Sequence, residues 1–398
     1  MFGLRETLKK HMNKNLSSCL CCGNTNLFTI LDLGNQPLAN NFHKDFVQEK
    51  KYELKLMGCE ICWHTQLSLS VDPNLLFKDY LYVSGTSSTL RNYFDEFAKL
   101  YRKYSPNILD IACNDGSQLD SFKQLGFNTY GVDPAQNLYP ISTSKGHKVT
   151  CDFFNLDVAR LLPKMDLIIA QNVFAHTSDL DVFLLSCKEI MKPNSLLVIQ
   201  TSQADMFINN ELDTIYHEHI SFFSTNSMIH VLERFGLFLN NVYKTAIHGN
   251  SYVFEVSLNK TRNKNVKNFL KQEKIRYNKQ FYIDYRRKAL QCLSDLKVYL
   301  DSKDTKKIGY GAAAKGMTVL NAGQISLDYI VDDNPLKQGL FCPGTYIPIV
   351  SLEHIINDDN LIIVPLAWNF YDEIVSKVKS LRNKRDTFVK YFPKLTIY

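Results

Sequence analysis

Two turns, each set between an apolar strand and a helix, constrain this chain most. In L-D-I-A-C-N-D-G, Asp110 closes an apolar run, Gly116 falls at the start of a helix, and Asp133 closes the next apolar run. In G-Y-G-A-A-A, Gly309, Gly311 and Ala314 form a GxGxxA turn, followed by Asp332 and Asp333 near the end of the next run. A small residue such as Ala112 lets backbone approach a nucleotide closely, and Gly116 admits the chain to the helix without a side chain in the way. The helix N-terminus then offers N–H groups to phosphate, and the acid on the following strand accepts ribose hydroxyls. Two such turns in 398 residues require two α/β domains.

The strands on which they depend can be read directly. I-L-D-I-A (108–112), T-Y-G-V-D (129–133), M-D-L-I-I-A (165–170) and S-L-L-V-I-Q (195–200) are spaced for one crossover helix each. A second series comprises K-K-I-G-Y-G (306–311), L-D-Y-I-V-D-D (327–333) and N-L-I-I-V-P (360–365). Between the series lies the densest basic stretch, Arg262 to Lys288, in a chain of net charge +6. Tyr282, Tyr285, Ala289, Leu293, Leu296 and Leu300 recur there at helical spacing, so the lysines and arginines read as the solvated face of one long amphipathic helix. That disfavours a nucleic-acid surface.

No run approaches a membrane span, and the N-terminus lacks the apolar core of a signal peptide, so a cytoplasmic protein is expected. Ten cysteines then argue against a disulfide framework. Cys113, Cys151, Cys187, Cys292 and Cys342 are isolated and read as small buried residues, whereas C-L-C-C-G and C-E-I-C crowd five into the first sixty-two positions. Two C-x-x-C pairs, Cys19 with Cys22 and Cys59 with Cys62, supply the closed four-sulfur shell of a structural zinc and leave Cys21 spare. Unrelated buried cysteines are the alternative.

Between the two nucleotide turns comes D-T-I-Y-H-E-H-I-S, with Tyr216, His217, Glu218 and His219 in a row. A histidine beside a carboxylate can act as general base, and a tyrosine hydroxyl can donate to a developing enolate. A His-x-His metal pair or a satisfied hydrogen-bond network are the alternatives. His176 follows the strand ending at Ala170, at the sheet end where such folds bind ligands.

Taken in order, these segments resemble the nucleotide-sugar C-methyltransferases, which install methyl branches on deoxysugars. The resemblance covers nearly the whole chain. It runs through C-L-C-C-G, L-D-L-G-N-Q-P-L-A-N-N-F (31–42), C-E-I-C, Y-L-Y-V-S-G-T-S-S (80–88), D-I-A-C-N-D-G and N-V-F-A-H, and continues through I-Y-H-E-H, H-G-N-S (248–251), G-Y-G-A-A-A-K-G, P-G-T-Y-I-P-I and A-W-N-F (367–370). It implies a zinc-binding module (1–75), a Rossmann-like domain for S-adenosylmethionine (76–258) and a C-terminal Rossmann-like domain for the nucleotide-sugar (259–398). By resemblance His219 removes the proton beside a sugar ketone, Tyr216 stabilises the enolate, and Glu218 and His176 assist. The cofactor-side candidates are Tyr80, Asp110, Ala112, Asn114, Gly116, Asp133 and Asn172; the substrate-side candidates are His248, Asn250, Gly309, Gly311 and Lys315.

Three positions depart from the family pattern. Ala112 replaces a glycine, which is tolerable if the residue needs no positive φ. Gln200 stands where a carboxylate is common, and Asn250 replaces a glycine of H-G-G-S. The C-terminal turn taken alone suggests an NAD-dependent nucleotide-sugar oxidoreductase instead, and the cysteine knuckles alone a nucleic-acid binder. The expected partner is a small nucleotide-sugar, with no nucleic acid or membrane, for a monomer or homodimer.

Overall fold

The computed structural model describes residues 12–78, 80, 82–86 and 88–398. Its largest sheet has seven strands, ordered Phe238–Thr245, Ser251–Ser257, Met191–Thr201, Met165–Gln171, Asn107–Ile111, Asn128–Val132 and Lys148–Thr150. All pair in parallel except Ser251–Ser257, which is antiparallel to both neighbours. Chain direction across the sheet reverses between Asn107–Ile111 and Met165–Gln171, which opens a crevice at their carboxyl ends. The central strands carry unbroken apolar runs because helices cover both faces: Ile168, Ala170, Leu197 and Ile199 pack on one side, Leu167, Ile169, Leu196 and Val198 on the other.

The C-terminal sheet repeats the plan with strands Ile349–Val350, Tyr329–Val331, Lys307–Tyr310, Ile362–Pro365, Thr387–Lys390 and Thr396–Ile397 in spatial order. Only the last is antiparallel. Its crevice lies between Lys307–Tyr310 and Ile362–Pro365, beside the 367–370 segment. The basic stretch forms two helices, Lys264–Arg276 and Lys279–Asp301, not one. Asn278 breaks it by accepting the Phe281 N–H at 2.9 Å as an N-cap. The expected apolar stripe, Tyr282 to Leu300, is buried. Of the isolated cysteines, Cys151 is exposed: it follows the edge strand Lys148–Thr150, where one side of the sheet ends.

The N-terminal module is an antiparallel sheet of Leu27–Gln36, Tyr52–Cys59 and Thr65–Leu67, completed by Ser221–Phe222 from the middle of the chain. One face, through Ile30, Leu54, Leu56 and Leu67, shares a core with Tyr282, Tyr285, Met317 and Ile330 of the C-terminal part. The knuckles at its other end share a core with the seven-stranded domain. Gln66 ties the first knuckle down, accepting from the Leu20 N–H and donating to the Ser18 carbonyl.

All four knuckle sulfurs lie within 4.8 Å of one another, with Cys19–Cys62 at 3.5 Å and Cys22–Cys59 at 3.6 Å. A zinc ion bound at about 2.3 Å to four thiolates sets them about 3.8 Å apart, so the donor set fits tetrahedral zinc. Cys21 is buried but outside the group. One zinc per chain is therefore expected by elemental analysis, falling toward zero in Cys59→Ser and unchanged in Cys21→Ser. Because the knuckles are built into the core of the seven-stranded domain, Cys59→Ser should also lower the unfolding temperature of the whole chain. Full zinc content in Cys59→Ser refutes this ligand set.

Candidate functional site

The crevice of the seven-stranded sheet is rimmed by the first sequence turn. Asp133 accepts the Asn114 N–H through one oxygen and the Ala135 N–H through the other, both at 2.8 Å. Each oxygen keeps a further lone pair. Asn114 in turn holds the loop above: its Oδ1 accepts the Ser84 N–H at 2.9 Å and its Nδ2 donates to the Tyr82 carbonyl at 3.0 Å. Tyr80 is tied to Asn137 through both backbone groups. Asp110 lies below the turn, its carboxyl pushed well above the usual range by burial and by the nearby Asp133 and Asp115. On the opposite lip Asn172 adopts φ +55°, and its buried Oδ1 has no partner among the described residues. The spare lone pairs of Asp133 and the unsatisfied amide oxygen of Asn172 suit an adenosine-bearing cofactor.

Ala112 corrects one expectation: it does take a positive φ, +62°, alongside Asn114 at +52° and Gly116 at +79°. The turn tolerates it because the Ala112 N–H reaches the Val132 carbonyl at 2.7 Å and because Ala has the smallest Cβ. Gly116 is obligatory on two grounds, since an added Cβ there would sit 2.8 Å from the His147 ring. Asn250 also stands at positive φ, +88°, where the family has glycine. Gln200 accepts the Tyr93 hydroxyl at 2.6 Å, the amide oxygen doing what a carboxylate oxygen would.

The row of titratable residues divides. His217 turns to the N-terminal module, where its Nε2 donates to the Tyr52 carbonyl at 3.2 Å and burial holds its pKa down to about 4. His219 turns to the crevice, so the two histidines do not form a metal pair. Its Nδ1 lies 2.8 Å from the Thr214 carbonyl and its Nε2 lies 2.9 Å from the Tyr216 hydroxyl. A carbonyl only accepts, so Nδ1 carries the proton, Nε2 holds the lone pair, and Tyr216 donates to it. Burial and Glu218 keep the Tyr216 hydroxyl protonated, well above its ordinary pKa. Glu218 accepts from Asn40 at 2.5 Å and from the Tyr80 hydroxyl at 3.2 Å, and burial pushes its pKa up to about 7. The His176 ring lies 5.1 Å from that of His219 and stacks on Phe77; its buried Nε2 has no partner among the described residues.

On the C-terminal side, Asp332 repeats the role of Asp133, accepting the Ala312 N–H at 2.6 Å and the Asn334 N–H at 2.8 Å. Gly309 and Gly311 leave room for protein, since Cβ atoms there would meet Leu366 at 2.8 Å and Ala367 at 2.7 Å. Lys315 points its buried Nζ toward the Trp368 ring, 5.1 Å away. The side chain of His248 lies outside the described residues. A hollow of about 230 Å³ separates the two domains here, walled by Leu90 and Ile247 on one side and by Asn369, Phe370, Asp372 and Glu373 on the other. Sequence reasoning missed Asn40, Thr214, Trp368 and Lys337. Asn40 and Trp368 stand inside the L-A-N-N-F and A-W-N-F segments that carry the resemblance; Lys337, whose Nζ donates to the Ala312 carbonyl at 2.7 Å, has no sequence signal.

The strain at Ala112 gives a direct check. A left-handed non-glycine residue costs about 1–2 kcal/mol, and glycine returns about 0.5–1 kcal/mol of this as lost chain entropy. Ala112→Gly should thus raise stability by about 0.5–1 kcal/mol in denaturant unfolding and Ala112→Val lower it. A glycine variant less stable than the parent refutes the strain.

Three family models match the chain in order. They are a “Putative zinc binding domain” over residues 19–77, a methyltransferase domain over 84–241 and a C-methyltransferase C-terminal domain over 246–393. The C-methyltransferase NovU of Streptomyces niveus is 26% identical over 404 residues, covering 95% of this chain and 96% of that protein. A ubiquinone biosynthesis O-methyltransferase of Rhodopseudomonas palustris (strain TIE-1) is 32% identical over 99 residues, which are 24% of this chain and 39% of that one. The glycopeptide N-methyltransferase MtfA, solved with S-adenosylmethionine, overlaps at a TM-score of 0.36 and 12% identity, over 46% of this chain and 97% of that one; so loose a likeness adds nothing to the sequence matches. The GxGxxA turn that suggested an oxidoreductase falls inside the C-methyltransferase C-terminal domain. Among the described residues no helix is long and apolar enough to cross a membrane. With its four-cysteine zinc site, its seven-stranded cofactor domain and this C-terminal domain, the chain is an S-adenosylmethionine-dependent methyltransferase similar over nearly its whole length to the C-methyltransferase NovU.

Proposed function

We propose that the chain methylates a carbon beside the ketone of a nucleotide-linked deoxysugar, in the biosynthesis of a branched sugar. The observation that carries this reading is the Tyr216–His219 pair, whose lone pair on Nε2 is fixed by the Thr214 carbonyl at the mouth of the cofactor crevice. A carbon acid needs a base and an oxyanion donor together before it can be alkylated. Tyr80, Asp110, Ala112, Asn114, Gly116, Asp133 and Asn172 would hold S-adenosylmethionine, which when bound would supply an electrophilic methyl group.

In the resting pair Tyr216 donates to Nε2. A ketone oxygen entering beside Tyr216 takes that hydroxyl as its own donor and so releases the Nε2 lone pair. His219 then accepts the proton from the neighbouring carbon, and the C–H electron pair becomes the enolate double bond while Tyr216 holds the oxygen. Glu218, with Tyr80 and Asn40 on its two oxygens, fixes the opposite wall, and His176 backs the His219 ring. His248, Asn250 and the turn at Gly309 and Gly311 are the residues assigned to the nucleotide, whose pyrophosphate would face the N-terminus of the helix Ala314–Gly323.

His219→Ala should abolish both methyl transfer and exchange of the substrate's α-hydrogen into D₂O, since no enolate forms without a base. Tyr216→Phe should slow both by about 10²–10³, the loss expected for one oxyanion donor. Exchange at the parental rate in His219→Ala, with methylation stopped, removes His219 as the base.

Glu218 gives a pH test. Its folded pKa of about 7 lies above the ordinary 4.5, so the neutral form is favoured by folding. Its stabilising contribution is complete below pH 4.5 and is lost as pH rises through 7. Glu218→Gln should therefore unfold like the parent at pH 4.5 and be more stable at pH 8, by up to about 3 kcal/mol. The same difference at both pH values, measured by thermal unfolding, refutes the raised pKa.

A further inference from the structure

The segment that carries the base is gripped from the C-terminal domain at several points. Asp213, fully buried, accepts the Trp368 indole N–H at 2.6 Å through Oδ2, while its Oδ1 has no hydrogen-bond partner among the described residues. The buried ammonium of Lys315 lies over the same indole at 5.1 Å, and its charge reaches both Asp213 and Glu211. One turn further along that helix, the Thr318 hydroxyl donates to the Ile215 carbonyl at 3.1 Å. Contacts from the other domain thus bracket Thr214, whose carbonyl sets the tautomer of His219.

A buried acid and ammonium are expensive to desolvate, and apolar packing would join two domains at lower cost. What the charged contacts add is a fixed position for a backbone carbonyl. We propose that Asp213, Lys315, Thr318 and Trp368 form an interdomain clamp that positions His219, holding the Leu212–Thr214 turn so that the proton stays on Nδ1 and the lone pair on Nε2. This inference rests on the reading of His219 as the base. It gives Lys315 a task other than phosphate binding, because its ammonium is buried at the turn that precedes Tyr216 and not presented to a ligand.

The test uses the full-length, zinc-loaded chain with selectively ¹⁵N-labelled histidine and the variants Thr318→Val, Asp213→Asn and Lys315→Met. His219→Asn assigns the His219 signals. Without substrate, the parent should show the Nδ1–H form and each variant a mixture of tautomers. With S-adenosylmethionine and a panel of dTDP- and GDP-linked 4-keto-deoxysugars, kcat should fall at least tenfold in the variants while KM for both substrates stays within twofold. Parental tautomer and kcat in all three variants overturn the clamp, and so does a raised KM with unchanged kcat in Lys315→Met, which would place that amine on the nucleotide. If Asp213→Asn does not fold, Thr318→Val, which removes one hydroxyl, decides by the same readouts. If the parent acts on none of the sugars, the base assignment fails, while the tautomer measurement still decides the clamp.

Discussion

The short pairing of Ser221–Phe222 with Thr65–Leu67 is the contact on which the rest of the arrangement depends. Leu67 also donates to the Ile220 carbonyl and Ile220 to the Ala175 carbonyl, so the segment after His219 is fixed to the zinc module and to the His176 turn together. The segment before Tyr216 is fixed to the C-terminal domain. A dozen residues are thus held from three directions. Side chains on separately folded modules reach a common position only if the strand between them cannot slide, and hydrogen-bonded register supplies that constraint.

The two crevices are built by the same device. In each, the residue after the first strand donates to the carbonyl that closes the second, Ala112 to Val132 and Gly311 to Val331, both at 2.7 Å. In each, an aspartate one residue further on braces the turn through backbone amides. Asp133 and Asp332 are therefore architectural before they meet any ligand. An acid at the end of a second strand is by itself weak support for a ribose contact, because the turn already uses one lone pair of each oxygen.

Much of the architecture was legible because buried parallel strands are unbroken apolar runs, and each of the seven runs named from the sequence coincides with a strand to within a few residues. The knuckle spacing likewise announced the four sulfurs that converge. What local pattern hides is direction and distant partners. His217 and His219 are chemically alike in sequence, yet one faces Tyr52 and the other Tyr216, since the chain between them must enter a strand two residues later. The break at Asn278 was concealed by an apolar period that continues on its far side. The φ of Ala112 was misjudged because the turn's hydrogen bonds, not the residue's preference, set it. Trp368 and Lys337 come to the site only through the C-terminal fold.

The sheet of the N-terminal module takes its last strand from residues 221–222, far along the chain. During synthesis the knuckles emerge early and can close on a metal at once, but the edge at Thr65–Leu67 stays open until the first five parallel strands of the seven-stranded domain have been made. An open edge in a nascent chain is a template for pairing with a stranger. Here that edge is short, three residues, and carries the polar Thr65 and Gln66. The order of the chain thus leaves the smallest module waiting for the largest, with little exposed strand to mispair in the interval.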